Sequence, residues 1–244
     1  MKNIKKIIQS AVAVAMACLL AGCETTGLSP RERSGVSYPN YILSLQSDGT
    51  NAPRKVITPI RLAVAQVGEA APSDAMLNKL AASKTLVSSA FGLPLPGDED
   101  NFRYYNRRND PPEDYTGRIK AVRGLARAAG ADYLFLCGGN IDSWQKRNPS
   151  AILDFTIIGG VVAPGTQIHV EGKGAGALID VATGQPIIFV NAETNRSALS
   201  PDFLVDGKTT SMRVQARDEL VGKLSDELLE KLTALTPTVT SITR

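Results

Sequence analysis

Histidine is almost missing from this chain: His169 is the only one in 244 residues. It lies in an alternating, strand-like stretch with no metal-ligating neighbour, which sets aside a metal centre or a His-based triad. Cysteine is nearly as scarce. Of the three, Cys18 and Cys23 belong to the N-terminal segment treated below, which leaves Cys137 without a partner for an internal disulfide. Cys137 closes the apolar run Tyr133–Cys137, with no candidate base nearby, and reads as a buried small hydrophobe and not as a nucleophile. One Trp, six Tyr and six Phe are too few to carry a core, so Val, Ile, Leu and Ala must build it. The net charge of +3 is also deceptive: Lys2, Lys5 and Lys6 are the only charged residues before Cys23, and the rest of the chain is neutral. A neutral domain has no electrostatic footprint for nucleic acid. Beyond residue 23 no apolar run is long enough for a transmembrane helix.

What is present begins with an address. Three lysines precede an apolar run from Ile7 to Leu20, the n-region and short h-region of a secretory signal. The run ends in Leu20-Ala21-Gly22-Cys23, which resembles the bacterial lipobox. That resemblance implies removal of residues 1–22 and acylation of Cys23 on its sulfur and its new amine. Several acyl chains, at about 0.8 kcal/mol per buried CH₂, would hold the protein firmly on a membrane. In Gram-negative lipoproteins an Asp after the cysteine favours inner-membrane retention, so Glu24 implies the outer membrane.

Four segments are expected: a lipoprotein signal peptide over 1–22, a lipid-anchored flexible tether over 23–55, one α/β domain over 56–236 and a tail over 237–244. The tether is rich in Ser, Thr, Gly, Pro and Asn and has no sustained period. Ile60–Val67 reads as a first strand. Ser73 offers an N-cap to a helix over 74–91, with Met76, Leu77, Leu80 and Ala81 on one face, stopped by Gly92–Gly97. Asp98–Glu113 reads as a solvated loop, because its arginines and aromatics sit among their own counterions. Asp114 can cap a second helix that carries Ile119, Val122, Leu125, Ala126 and Ala129, with Gly130 at the C′ position. Tyr133–Ile141 follows as a buried strand ending near Gly138-Gly139, a β-α-β style of packing.

Ile152–Val162 is nearly all apolar and too short to span a bilayer; it reads as core or strand–turn, with a lip that dips into a membrane as the alternative. Gln167–Asp180 alternates, Ala182–Gln185 turns, and Pro186–Val190 returns, which is a hairpin. Gly172, Gly174 and Gly176 share one parity and imply an element packed close to the sheet. Their spacing is not that of a nucleotide loop, and no helix follows. Thr209–Leu235 is the clearest helix, with Met212, Ala216, Leu220, Leu224, Leu228 and Leu232 at every fourth position and Val221 and Leu235 beside them. It should lie on the sheet as a cover, with Pro237 ending it.

The stretch from Gly124 to Asp142, then ALIDVATGQPI, then an amphipathic helix, resembles a broad group of bacterial envelope lipoproteins. That group includes the curli-secretion lipoprotein and the outer-membrane activators of penicillin-binding proteins. The shared motifs are GADYL, here Gly130–Leu134, and DxxTG, here Asp180–Gly184. The resemblance implies a single α/β sandwich, a mixed sheet with covering helices, related to the anticodon-binding architecture. FTIIGGVVAPG followed by ALIDVATG is also similar to the rhombotarget lipoproteins, which implies a link to envelope rhomboid-type proteases as partner or substrate.

No catalytic constellation stands out. Asp132, Asp142 and Asp154 flank strands, and their meeting at one sheet end is the single enzyme-like arrangement on offer; caps and strand-end solvation explain them more simply. The expected function is a non-catalytic, lipid-anchored envelope protein that presents its domain to a protein partner, without cofactor, metal or nucleic acid. The alternatives are a ligand-binding or hydrolytic domain built on those carboxylates, and an oligomeric scaffold assembled through Ile152–Val162.

Overall fold

The computed structural model describes residues 32–34, 56–67, 69, 71–95, 115–147 and 166–236. The signal and lipobox residues, most of the tether, the loop 98–113, Asp114, Ile152–Val162, Asp154 and the tail lie outside them.

Alternation and helical stripes decide the layers. The described chain runs β1 (Glu32–Ser34), β2 (Ile60–Gln66), α1 (Asp74–Ala82), β3 (Val87–Gly92), α2 (Tyr115–Ala128), β4 (Tyr133–Arg147), β5 (Thr166–Asp180), β6 (Pro186–Ser200), a 3-10 turn (Asp202–Leu204) and α3 (Val205–Leu235). The strands form one mixed sheet in the order β3-β2-β4-β5-β6, and β1 joins alongside β4. β2 is parallel to β3 and to β4, whereas β4, β5 and β6 form an antiparallel meander of 15-residue strands. This is the expected α/β sandwich.

The even residues Ile168, Val170 and Leu178 of β5 join Phe135 and Cys137 of β4 beneath α3 and α1. The odd residues Ala175, Ala177 and Ile179 join Leu134, Leu136, Ala63 and Ala65 beneath α2, which contributes Val122 and Ala126. α3 buries one stripe, including Met212, Ala216, Leu220, Leu224, Leu228 and Leu232, as its four-residue period requires. Its approach is close because the sheet has no side chains in the way. A Cβ on Gly174 would lie 3.0 Å from both Leu220 Cγ and Leu224 Cδ1, and one on Gly139 would lie 2.6 Å from Leu220 Cδ2. α1 packs against α3 through Lys79, whose Nζ reaches Asp226 Oδ2 at 2.7 Å and the Gly222 carbonyl at 3.1 Å.

Four boundaries differ from expectation. The helix expected over 74–91 ends at Ala82, where the Ser83 N–H donates to the Leu80 carbonyl; past Ala81 its apolar face would continue only as Lys84 and Thr85. Residues 87–92 are instead a strand that pairs parallel with β2. β4 does not end at Gly138-Gly139 but continues to Arg147, and Gly139 is the seat of Leu220. β6 runs to Ser200, matching β5 residue for residue to Thr166. α3 starts at Val205, which is buried, and Leu125 of α2 is 41% exposed and not part of the core stripe. The Ser73 cap forms as expected, with its Oγ accepting from the Met76 N–H.

Candidate functional site

The two shared motifs turn out to be structural. Gly130 ends α2 at φ +76°, a conformation that favours glycine. Asp132 then clasps β2: its Oδ2 accepts the Arg61 backbone N–H at 2.9 Å, and its Oδ1 takes Arg61 Nη2 at 2.9 Å. Arg61 lowers the Asp132 carboxyl below its ordinary range, chiefly through the side-chain hydrogen bond, and is itself raised in return. In the hairpin, Asp180 Oδ1 accepts the N–H groups of Ala182 and Thr183 at 2.8 and 2.9 Å, and Gly184 sits at φ +78°. Arg127 Nη2 of α2 donates to the Val181 and Ala182 carbonyls, both at 3.0 Å, so helix and turn are tied together.

The expected acidic cluster does not assemble from Asp132 and Asp142. They stand ten positions apart along one extended segment, about 33 Å at the rise of a strand. Asp132 serves the clasp, and Asp142 is nearly buried midway along β4, within 3.5 Å of Asn140 Nδ2. Asp154 lies outside the described residues, as do Leu20, Ala21, Gly22, Cys23 and Glu24. Among the described residues no group of three or more His, Cys, Asp or Glu side chains is arranged to hold a metal. Cys137 is 1% exposed, and burial pushes its thiol up to about 12, the opposite of an activated nucleophile.

The distinctive surface is the half of the meander that α2 does not cover. Past Ala175 the same parity that feeds the α2 core presents Lys173, Glu171, His169 and Gln167 on β5. Their cross-strand partners are Asn140, Asp142, Trp144 and Lys146 on β4, and Glu193, Asn195, Ser197 and Leu199 on β6. Trp144 and His169, paired across the strands, stack with centroids 5.3 Å apart and planes 10° from parallel. Lys173 Nζ meets Glu171 Oε1 at 2.9 Å beside them. No helix of the described residues lies over this face. Stacked rings among acids, amides and a lysine offer a polar contact surface. Sequence reasoning treated His169 as isolated because its neighbour belongs to another strand, and only the register brings in Trp144.

At the sheet margin, β6 is held by charged groups of α3. Arg196 Nε and Nη2 donate to Glu219 Oε2 at 3.0 and 2.8 Å, and Arg196 Nη1 donates to Gln215 Oε1 at 2.8 Å. Lys223 meets Glu219 Oε1 at 2.8 Å. Lys223, then Thr194 and Arg196, bring the Glu219 carboxyl down to about 2. Glu219 and Lys223, with Glu171, Glu193, Thr194 and Asn195, line a shallow depression of about 220 Å³ at this margin.

Fold and surface together define an α/β sandwich whose sheet carries helices on both sides, with half of one face lacking a covering helix among the described residues. No family model matches the chain, and no curated protein matches it. Solved structures do resemble it. The PelC dodecamer from Paraburkholderia phytofirmans is 14% identical, with 73% of this chain and 93% of that chain covered and a TM-score of 0.31. The LpoB C-terminal domain from Salmonella enterica is 16% identical over 65% of this chain and 95% of that one, with a TM-score of 0.26. Lipoprotein GNA1162 from Neisseria meningitidis is 13% identical over 64% and 97%, with a TM-score of 0.27.

Proposed function

We propose that this chain is a lipid-anchored envelope lipoprotein, held through Cys23 at the periplasmic face of the outer membrane. Its sandwich is a non-catalytic accessory module that engages a protein partner through the uncovered half-face. The observation that carries this reading is that face itself: an aromatic stack and paired charges on 15-residue strands, left without a covering helix among the described residues. The tetrapeptide Leu20–Cys23 supplies the anchor, and Glu24 the outer-membrane address. The similarity of FTIIGGVVAPG and ALIDVATG to rhombotarget lipoproteins makes a rhomboid-type envelope protease the first partner to look for.

The test compares intact mass and membrane fractionation of the full chain with Cys23→Ala, and photo-crosslinks the wild-type background from Gln167, on the face, and from Lys120, on exposed α2. The expected result is acyl mass and outer-membrane sedimentation lost with Cys23, and a discrete heterologous band trapped from Gln167 alone. Equal mass and fractionation for Cys23→Ala would remove the anchor. Equal trapping from both positions would remove the face.

A further inference from the structure

An edge strand shows half of its main-chain groups outward, and β6 is the last strand in the sheet order. Its outward groups belong to the odd residues. The Asn191 N–H donates outward to Glu227 Oε2 at 2.8 Å, Lys231 Nζ donates to the Phe189 carbonyl at 2.6 Å, and Lys223 Nζ donates to the Glu193 carbonyl at 2.8 Å. These three side chains, four residues apart on α3, occupy the edge from 189 to 193. The same alternation turns the main-chain groups of Asn195, Ser197 and Leu199 outward. α3 engages this stretch differently, through the side chain of Arg196, and no strand or helix of the described residues covers its outer main chain.

Natural edges of this kind are blunted by proline, by a free lysine, by a bulge or by a cover. The stretch 195–199 has neither proline nor lysine, is in regular register with β5, and carries one charge, Arg196, already engaged by Glu219 and Gln215. Among the described residues the first half of the edge is protected and the second half is ready to pair. At its end and just beyond stand Leu199, Phe203 and Leu204, exposed by 53%, 72% and 53%.

We infer that Asn195–Leu199 is a self-association edge, pairing antiparallel with the same stretch of a second copy about a two-fold axis at Ser197. The stretch is complementary to itself in that register. Ser197 faces Ser197, Asn195 faces Leu199, and Arg196 faces Ala198, so no like charges meet. Each outward residue exchanges both its main-chain bonds with an outward residue of the copy. The uncovered half-faces of the two copies become neighbours on one side of a continuous sheet. A ladder this short belongs with small, transient interfaces, and it does not depend on which partner the half-face binds.

Proline at 197 removes an N–H that points away from β5, so the internal ladder survives while pairing is blocked. Cysteine at 197 lies opposite itself at about 5.5 Å between Cα atoms, within disulfide range. Cysteine at 195 lies four residues out of register from its copy. In membranes carrying the full chain, mild oxidation should give Ser197→Cys a reductant-sensitive band at twice the chain mass, at least ten-fold stronger than for Asn195→Cys or wild type. In mild detergent the wild-type mass should rise with concentration, while Ser197→Pro, with unchanged circular dichroism, stays a monomer. The inference is overturned if Ser197→Cys crosslinks no better than Asn195→Cys, if its disulfide joins a different protein, or if folded Ser197→Pro associates like wild type.

Discussion

Asp132, Asp142 and Asp180 are chemically alike, and their different settings show how little a carboxylate says by itself. Asp180 organises a turn, Asp132 clasps two strands, and Asp142 is nearly buried on a sheet face. Glu219 is the carboxylate with a measurable signature. Its carboxyl falls from an ordinary 4.5 to about 2, so it adds stability that is fully present above pH 4.5 and is lost as the pH falls through about 2. Arg196 and Glu219 are 36% and 32% exposed, and screening limits such a pair to about 0.5–1 kcal/mol. Glu219→Gln is therefore expected to lower the thermal midpoint by about 1–4 °C at neutral pH. The gap should close as the pH is taken from 4.5 down to 2. A gap that persists undiminished at pH 2 would mean that packing, not charge, is responsible.

Among the elements, α3 and the β5–β6 hairpin were legible from local pattern, because a four-residue stripe and a two-residue alternation are written in consecutive residues. β3 was not. Only Val87 of its six residues is buried, and its strand state rests on parallel pairing with β2, a non-local partner. The length of β4 was hidden for a related reason: Gly138-Gly139 reads as a break unless Leu220, some eighty positions away, is known to sit on Gly139. The stripe of α3 makes a quantitative claim. Leu224 is 2% exposed, so Leu224→Ala should cost about 2–5 kcal/mol in urea unfolding. Val214→Ala on the same helix, where the side chain is 53% exposed, should change stability by about 0.5 kcal/mol or less. Similar losses at both positions would contradict the assignment of the buried face.

Among the described residues the sheet is covered unevenly: α3 and α1 on one side, α2 over part of the other. Cys137 lies under α1 and α3, its Sγ 3.9 Å from Met76 Sδ of α1, and offers a probe of how this assembly opens. With the thiol raised to about 12 and 1% exposed, alkylation at pH 8 should proceed only through molecules that have lost the layer formed by α1 and α3. Its rate, followed as the mass of the Cys137 peptide, should then rise in Leu224→Ala by the factor that variant's stability loss predicts. Rapid labelling indifferent to Leu224→Ala would instead mean that a local opening reaches the thiol. The half-face was the least legible feature at this scale. Its composition resembles any solvated strand surface, and only the register of three strands, with 148–165 intervening between two of them, sets Trp144 against His169.

The clamp of α3 on β6 works like a vernier. Four residues of helix advance about 6.0 Å, while two residues of strand advance about 6.8 Å. Lys231, Glu227 and Lys223 therefore keep step with Phe189, Asn191 and Glu193, each step falling short by about 0.8 Å. By the fourth graduation, Glu219, the lag is about half a helical turn's rise, and the side chain meets Arg196 instead of a main-chain group. A helix laid along a strand can guard only about three rungs before the two rulers disagree, and in this chain the disagreement begins where the unguarded edge begins.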